Sequence, residues 1–200
     1  MDIAVIAVAF ATIFVVELPD KTFIASLVLS TRYRPLAVWV GVGLAFGVQS
    51  LLAVTAGTLA TLLPEVYLKS AAVAIFLLGA VVLFRSAPGA EQENTDTEEE
   101  YTAKAVDGKG WLASAGTSFL VLFAAEWGDL SQLLTISLVA RFDDSVSVFL
   151  GAWSALLVVS GLAVLAGRVL LRYLKLSVLH YVGALVCVTL AGVTLYELLA

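Results

Sequence analysis

The 200-residue chain has few of the residues that build soluble enzymes and disulfide-rich domains. It contains one cysteine and one histidine, which excludes an internal disulfide and a cysteine-based metal cluster. Charged residues make up 14% of the chain, whereas a soluble domain carries roughly 25%. The net charge of −5 lacks the basic footprint of nucleic-acid binding, so no nucleic-acid partner is expected.

Apolar residues dominate instead, at 61% of the chain with a mean hydropathy of +1.02. Apolar runs of about 18 residues or more are typical of membrane-spanning helices. The sequence therefore predicts an all-α integral membrane protein with six transmembrane helices. We place them at 3–30, 36–62, 67–85, 111–140, 145–167 and 176–199. The first run lacks a basic start and continues past any cleavage point, so we expect a span rather than a signal peptide.

Two of these runs are interrupted by matching polar stretches. Residues 17–22 read Glu-Leu-Pro-Asp-Lys-Thr, and residues 126–131 read Glu-Trp-Gly-Asp-Leu-Ser, 109 positions later. Each stretch places two carboxylates at membrane depth, where ionisable groups are costly and mark functional sites. We refer to these two stretches as the motifs.

The spacing of the motifs predicts an inverted repeat. Three spans, an odd number, fall in each half, so the halves must cross the membrane in opposite directions. The sequence thus predicts two inverted three-helix repeats, 1–85 and 111–200, with helices 1 and 4 interrupted at the motif. Transporters of this architecture bind their substrate where the repeats meet.

The distribution of basic residues predicts the orientation. Eight Lys and Arg residues fall in loops on one side of the membrane, and two on the other. The positive-inside rule then puts both termini outside and the linker 86–110 in the cytoplasm. We expect a multi-pass protein of the lipid bilayer, in the plasma membrane if the source is bacterial. Six acidic residues between 91 and 100 favour a solvated, disordered tether over a cation sensor, because the order of an EF-hand loop is missing.

The motif carboxylates are the candidate metal ligands. Three-residue spacing would put Glu17 and Asp20 on one helical face, and Glu126 and Asp129 likewise. Carboxylate, hydroxyl and carbonyl oxygens suit hard cations such as Ca²⁺, Mg²⁺ or Mn²⁺. Four carboxylates cannot all be ionised in one low-dielectric pocket, so an empty site should hold protons that a divalent cation displaces. Two protons per ion is the simplest exchange.

Several neighbours could complete the site. Pro19 and Gly128 should break the helices and free carbonyls, and Trp127 is expected to wall the site. Lys21 would offset one negative charge or reach the interface. The sequence leaves open whether Thr22, Ser131 and Gln132 bind an ion or bond locally. Gln49 is more typical of helix packing than of a pathway, and His180 of the interface than of a proton relay.

On these residues the chain resembles the GDT-type cation/proton exchangers of the lysine-exporter superfamily. Their signature is two copies of Glu-x-Gly-Asp-(Lys/Arg)-(Thr/Ser) in a six-span inverted repeat. The resemblance implies export of Mn²⁺, in some members Ca²⁺, against protons, with no permanently bound cofactor. By this resemblance the family's motif carboxylates fall on Glu17, Asp20, Glu126 and Asp129, its Thr/Ser positions on Thr22 and Ser131, and the Gln after its second motif on Gln132.

Two residues depart from that signature. Pro19 replaces the usual Gly of the first motif, which should fix a break rather than merely permit it. Leu130 replaces a usual basic residue, so the second motif has no countercharge matching Lys21.

Other functions remain as alternatives to the exchanger. A passive divalent-cation channel would share the oxygen-lined site without proton coupling. An intramembrane aspartyl protease also carries acids within spans, but it needs two Asp residues rather than two Glu-Asp pairs. A structural membrane subunit would tolerate neutral motifs. We therefore expect no enzyme activity, and the sequence leaves the preference between Mn²⁺ and Ca²⁺, the proton stoichiometry and the oligomeric state open.

Overall fold

The computed structural model describes residues 1–18, 20–104, 110–173 and 175–199. These residues form α-helices joined by short turns, and the described part of the chain contains no β-strand. The helices are α1 (Ile3–Glu17), α2 (Lys21–Arg32), α3 (Pro35–Ala60), α4 (Glu65–Ser86), α5 (Ala90–Lys104), α6 (Trp111–Ala125), α7 (Leu130–Phe142), α8 (Ser145–Tyr173) and α9 (Leu176–Leu199). A 3₁₀ turn, Ala87–Gly89, joins α4 to α5.

Local sequence signals explain where several helices begin and end. Asp2 caps α1 by accepting a hydrogen bond of 2.7 Å from the backbone N–H of Ala4. Pro35 opens α3, a position where its missing N–H costs nothing. Asp143 ends α7 in the left-handed conformation with φ 49°.

The membrane-spanning pattern agrees with the sequence prediction. Helices α3, α4, α8 and α9 are each long and apolar enough to cross a membrane. The pair α1 and α2 passes the same test jointly but bends by 70°, and the pair α6 and α7 bends by 72°. Counting each bent pair as one span gives up to six. Both bends fall at the motifs, as predicted, while Pro19 itself lies outside the described residues.

The two halves of the chain pack into each other. Helix α1 lies against α8, α3 lies against α6, and α4 lies against α9. Gly41 of α3 lets the backbone carbonyl of Ala115 approach, and Gly151 of α8 does the same for the carbonyl of Ile6. Because Ile6 and Ala115 are 109 positions apart and the glycines 110, these contacts are equivalent in the two halves. They are consistent with two inverted repeats.

Two tryptophans join helices α3 and α8 by hydrogen bonds. Trp39 donates its indole N–H to the carbonyl of Leu157 at 3.0 Å. Trp153 donates to the carbonyl of Gly43 at 2.9 Å. Each indole needs a partner for its N–H when it leaves water, so this reciprocal bonding fixes how the two helices are paired.

The acidic linker departs from the prediction of a disordered tether. Residues 90–104 form helix α5, which packs mainly against α2 and also touches α9. Thr97 and Tyr101, one turn apart, are 5% and 4% exposed, while Glu98 and Glu99 point to solvent. Burial of this narrow face offsets the charge repulsion that acidic composition alone would impose.

Candidate cation site

The breaks in the two bent spans fall between the glutamate and the aspartate of each motif. Glu17 is the last residue of α1, and Asp20 is the N-cap of α2. Glu126 caps the end of α6, and Asp129 is the N-cap of α7, accepting from the N–H of Gln132 at 3.0 Å. The expectation that each pair shares one helical face is therefore wrong, because no continuous helix joins the paired residues.

The four motif carboxylates converge on one point. One carboxylate oxygen from each of Glu17, Asp20, Glu126 and Asp129 lies within 4.8 Å of the other three. Glu17 is 0% exposed and Glu126 5%, whereas both aspartates are half-buried. Packing of the two halves therefore brings together groups that the chain separates by 109 positions. We call this group the carboxylate cluster.

Glu17 is the deepest member of the carboxylate cluster. Neither of its oxygens has a hydrogen-bond partner among the described residues. The hydroxyls of Thr22 and Ser131 lie beside its carboxylate but outside hydrogen-bonding geometry. A buried carboxylate without compensation is strongly unfavourable, so this group requires either a proton or a cation.

A polar cavity of about 310 Å³ opens onto the other three carboxylates. Asp20, Glu126 and Asp129 line it together with Lys21 and His180. Lys21 thus lies at the edge of the cluster, where its charge can offset part of the negative charge. His180 is 7% exposed in the cavity wall rather than at a solvent-facing position, a placement that sequence reasoning missed.

Gln132 braces the broken backbone of the second motif. Its side-chain NH₂ donates to the carbonyl of Glu126 at 2.8 Å, and its side-chain oxygen accepts from the N–H of Gly128 at 3.2 Å. Gly128 takes φ +79°, a conformation that disfavours other residues. Both polar groups of the Gln132 amide thus hydrogen-bond to the backbone at the break. Gln132 is therefore a positioning residue rather than a ligand in this conformation.

The remaining candidates fall into separate roles. Ser131 donates to the Asp129 carboxylate at 2.7 Å and so orients a member of the cluster. Gln49 donates to the carbonyl of Phe123 at 3.1 Å, which is the helix-packing role expected of it. Trp127 is 64% exposed and meets the ring of Phe123 edge-on, so the expectation that it walls the site is wrong.

Helix α5 reaches the neighbourhood of the carboxylate cluster. Burial raises the pKa of Tyr101 well above its ordinary value, and the negative charges of Glu126, Glu100 and Asp20 raise it further. The phenol is therefore neutral. Helix α5 packs against α2 and α9, which contribute Lys21 and His180 to the lining of the cavity. The linker is part of the surroundings of the site, which composition alone did not indicate.

Comparison with known proteins identifies the family. A family model described as the divalent cation/proton antiporter GDT1 matches residues 5–91 and 114–200. The chain belongs to this family. The two matched segments begin 109 residues apart, and each GDT1 segment carries one motif. This agrees with the offset read from the sequence.

Relatives of the chain include plant proteins named as chloroplastic and a cyanobacterial protein. The chain is 30% identical to "Protein PAM71, chloroplastic" of Arabidopsis thaliana over 96% of its own length and 56% of that protein. It is 29% identical to "GDT1-like protein 1, chloroplastic" of Oryza sativa subsp. indica, covering 62% of that protein. It is 30% identical to "GDT1-like protein sll0615" of Synechocystis sp., covering 94% of this chain and 95% of that protein. The chain thus spans 56% and 62% of the length of these two plant proteins, and no solved structure matches it.

Proposed function

We propose that this GDT1-family chain is a secondary active transporter that exports a divalent cation from the cytosol in exchange for protons. Mn²⁺ is the first candidate ion and Ca²⁺ the second. The observation that carries the proposal is the carboxylate cluster, in which three acids meet the fully buried carboxylate of Glu17, whose oxygens have no hydrogen-bond partner among the described residues. No single half of the chain supplies that arrangement.

Charge balance couples the cation to protons. An empty cluster with four ionised carboxylates has no sufficient countercharge, because Lys21 is the one lysine or arginine among the described residues that line its cavity. Protons neutralise the empty cluster, and a divalent cation replaces them. After the cation is released, the empty site returns to the cytosolic side in its protonated form. Each cation exported is therefore exchanged for protons. Two protons per ion is the simplest stoichiometry.

The donor set favours a hard divalent cation. Glu17, Asp20, Glu126 and Asp129 would supply carboxylate oxygens, with the hydroxyls of Thr22 and Ser131 beside them. Mn²⁺ and Ca²⁺ both prefer such ligands, whereas thiolate or thioether ligands would favour Cu(I).

We further propose that the polar cavity opens toward the cytosol. Its lining includes Ser86, at the end of α4 immediately before the acidic linker, and His180, one turn into α9. The excess of Lys and Arg in the loops on this side supports a cytoplasmic linker and external termini. A cation would then enter the cluster from the cytosol.

The test is an exchange assay in sealed proteoliposomes. A pH gradient is imposed, and a trapped pH dye and a trapped Mn²⁺ indicator are read together. We expect Mn²⁺ entry tied to proton exit in the wild type, and at least a tenfold loss in Glu17→Gln, because the amide can neither release a proton nor neutralise the ion. The matched control is Glu98→Gln, which neutralises an exposed acid of α5 and should exchange normally.

Each result has a distinct meaning. Exchange by Glu17→Gln at the wild-type rate would show that the shared site is wrong. Mn²⁺ entry without proton movement would indicate a passive channel. Proton exit driven by Ca²⁺ but not by Mn²⁺ would keep the exchanger and reverse the ion preference.

A further inference from the structure

Two hydroxyls on α2 stand out because nothing in the described chain satisfies them. Thr22 and Ser26 are both 0% exposed, and neither hydroxyl oxygen has a hydrogen-bond partner among the residues that the structure describes. They lie four residues apart and so occupy one face of the helix. A buried hydroxyl without a partner costs free energy, particularly in a membrane interior where no bulk water can replace the bond.

The same helix shows how such hydroxyls are normally satisfied. Ser30 donates to the carbonyl of Leu27 at 2.7 Å, and Thr31 donates to the carbonyl of Val28 at 2.8 Å. Serine and threonine within helices commonly make this kind of local bond. Ser26 could make it too, but its hydroxyl is held in the interior instead.

The equivalent position in the other half behaves differently. Thr135, 109 positions after Ser26, donates to the carbonyl of Ser131 at 2.7 Å, so its hydroxyl is already bonded. Ser131 in turn donates to the carboxylate of Asp129. Among the described residues, the unsatisfied oxygens within a motif or in the helix that follows it therefore belong to the first half, whereas the unsatisfied hydroxyl of the second half, Ser118, lies in α6 before the motif.

These unsatisfied oxygens follow one another in space. The Thr22 hydroxyl lies beside the Glu17 carboxylate, and Ser26 lies about 6 Å farther along α2 at 1.5 Å per residue. From there the helix continues to Arg32, at the end that the basic residues place at the cytosol. The sequence of carboxylate, hydroxyl and hydroxyl thus leads away from the carboxylate cluster toward one side of the membrane.

We propose that Ser26 is a further residue of the transport pathway, whose hydroxyl holds a water of the cation's hydration shell between the carboxylate cluster and the cytosolic end of α2. A hydroxyl both donates and accepts, and hard divalent cations in proteins usually keep several waters. From the position beside Ser26, the ion passes the Thr22 hydroxyl and reaches Glu17. The proposal rests on the proposed function, since it adds a residue to that route.

The first test compares transport with stability. Ser26→Ala removes an unsatisfied hydroxyl and inserts a better helix former, so its unfolding temperature should equal or exceed that of the wild type. Its kcat/KM for Mn²⁺-driven proton exchange should fall about fivefold, the factor that corresponds to one hydrogen bond. Ser26→Thr restores the hydroxyl and should recover most of the rate. Ser30→Ala, which removes a locally bonded hydroxyl of the same helix, should exchange normally.

Two results of that comparison would overturn the proposal. One is normal exchange by Ser26→Ala. The other is a loss of exchange accompanied by an equal loss of thermal stability, which would make Ser26 a packing residue.

The second test does not depend on transport. Ser26→Cys, in a Cys187→Ala background, should react with methyl methanethiosulfonate and be protected by Mn²⁺. Ala25→Cys, at the neighbouring fully buried position, should stay unmodified. An unreactive Cys at position 26 would show that no water reaches it and would refute the proposal. If the wild type exchanged neither Mn²⁺ nor Ca²⁺, the proposed function would fail, while this labelling would still decide whether position 26 is hydrated.

Discussion

Replacing Gln132 by leucine should slow transport because it removes the side-chain hydrogen bonds that hold the broken backbone of the second motif. The leucine side chain keeps most of the volume but loses the bond to the carbonyl of Glu126 and the bond from the N–H of Gly128, at 2.8 and 3.2 Å. Each such bond contributes about 0.5–1.5 kcal/mol, so the pair contributes about 1–3 kcal/mol. If that free energy holds Glu126 in the productive position, the exchange rate should fall by roughly 5- to 150-fold, at 1.4 kcal/mol per tenfold.

The assay is the proteoliposome exchange measurement, with thermal unfolding as the second readout. Gln132→Glu separates bracing from ligation. A ligand at this position would bind the cation more tightly as a carboxylate, whereas a brace loses its donor to Glu126 and should slow exchange. The matched control is Gln92→Leu, because Gln92 is an exposed residue of α5 whose amide donates to Asp96. Gln132→Leu exchanging within twofold of the wild type would refute the reasoning.

Two further predictions test the packing. Gly41→Ala and Gly151→Ala should each lower stability by about 1–3 kcal/mol in thermal unfolding, because the new Cβ meets a backbone carbonyl of the opposite half; Gly192→Ala has open space and should not. Unaltered unfolding of both variants would contradict the close helix approach. The second prediction concerns α5, in which Thr102 is exposed and Tyr101 is buried. In a Cys187→Ala background, Thr102→Cys should react with an impermeant maleimide from the cytosolic side, whereas Tyr101→Cys should be protected. Equal labelling of the two positions would indicate a tether.

Sequence reasoning was strongest where the physics is local. A run of apolar residues must become a helix in a membrane because no other open structure satisfies its backbone there. An acid inside such a run is costly enough that two matched pairs indicate a shared function. The four carboxylates and the interruptions of helices 1 and 4 followed from these two arguments, while the family resemblance rested on the duplicated motif.

Sequence reasoning failed where a local pattern has two outcomes. Three-residue spacing puts Glu17 and Asp20 on one face only if the helix continues between them, and here the break falls between them. The acidic linker could be a tether or a helix, and burial of Thr97 and Tyr101 against α2 selected the helix. That contact joins segments about 75 positions apart, so composition could not reveal it.

The sequence by itself determined the membrane class, the interrupted spans and the identity of the four acids, because each depends on the hydropathy or charge of neighbouring residues. Only the tertiary structure decided that the acids meet within 4.8 Å, that Gln132 braces a turn, and that Ser26 keeps its hydroxyl unbonded while Thr135 does not. The meeting of the acids depends on how the halves pack, because the two motifs lie 109 positions apart and no local rule relates them. The Gln132 and Thr135 bonds are local, but they depend on side-chain conformations that the sequence pattern does not specify.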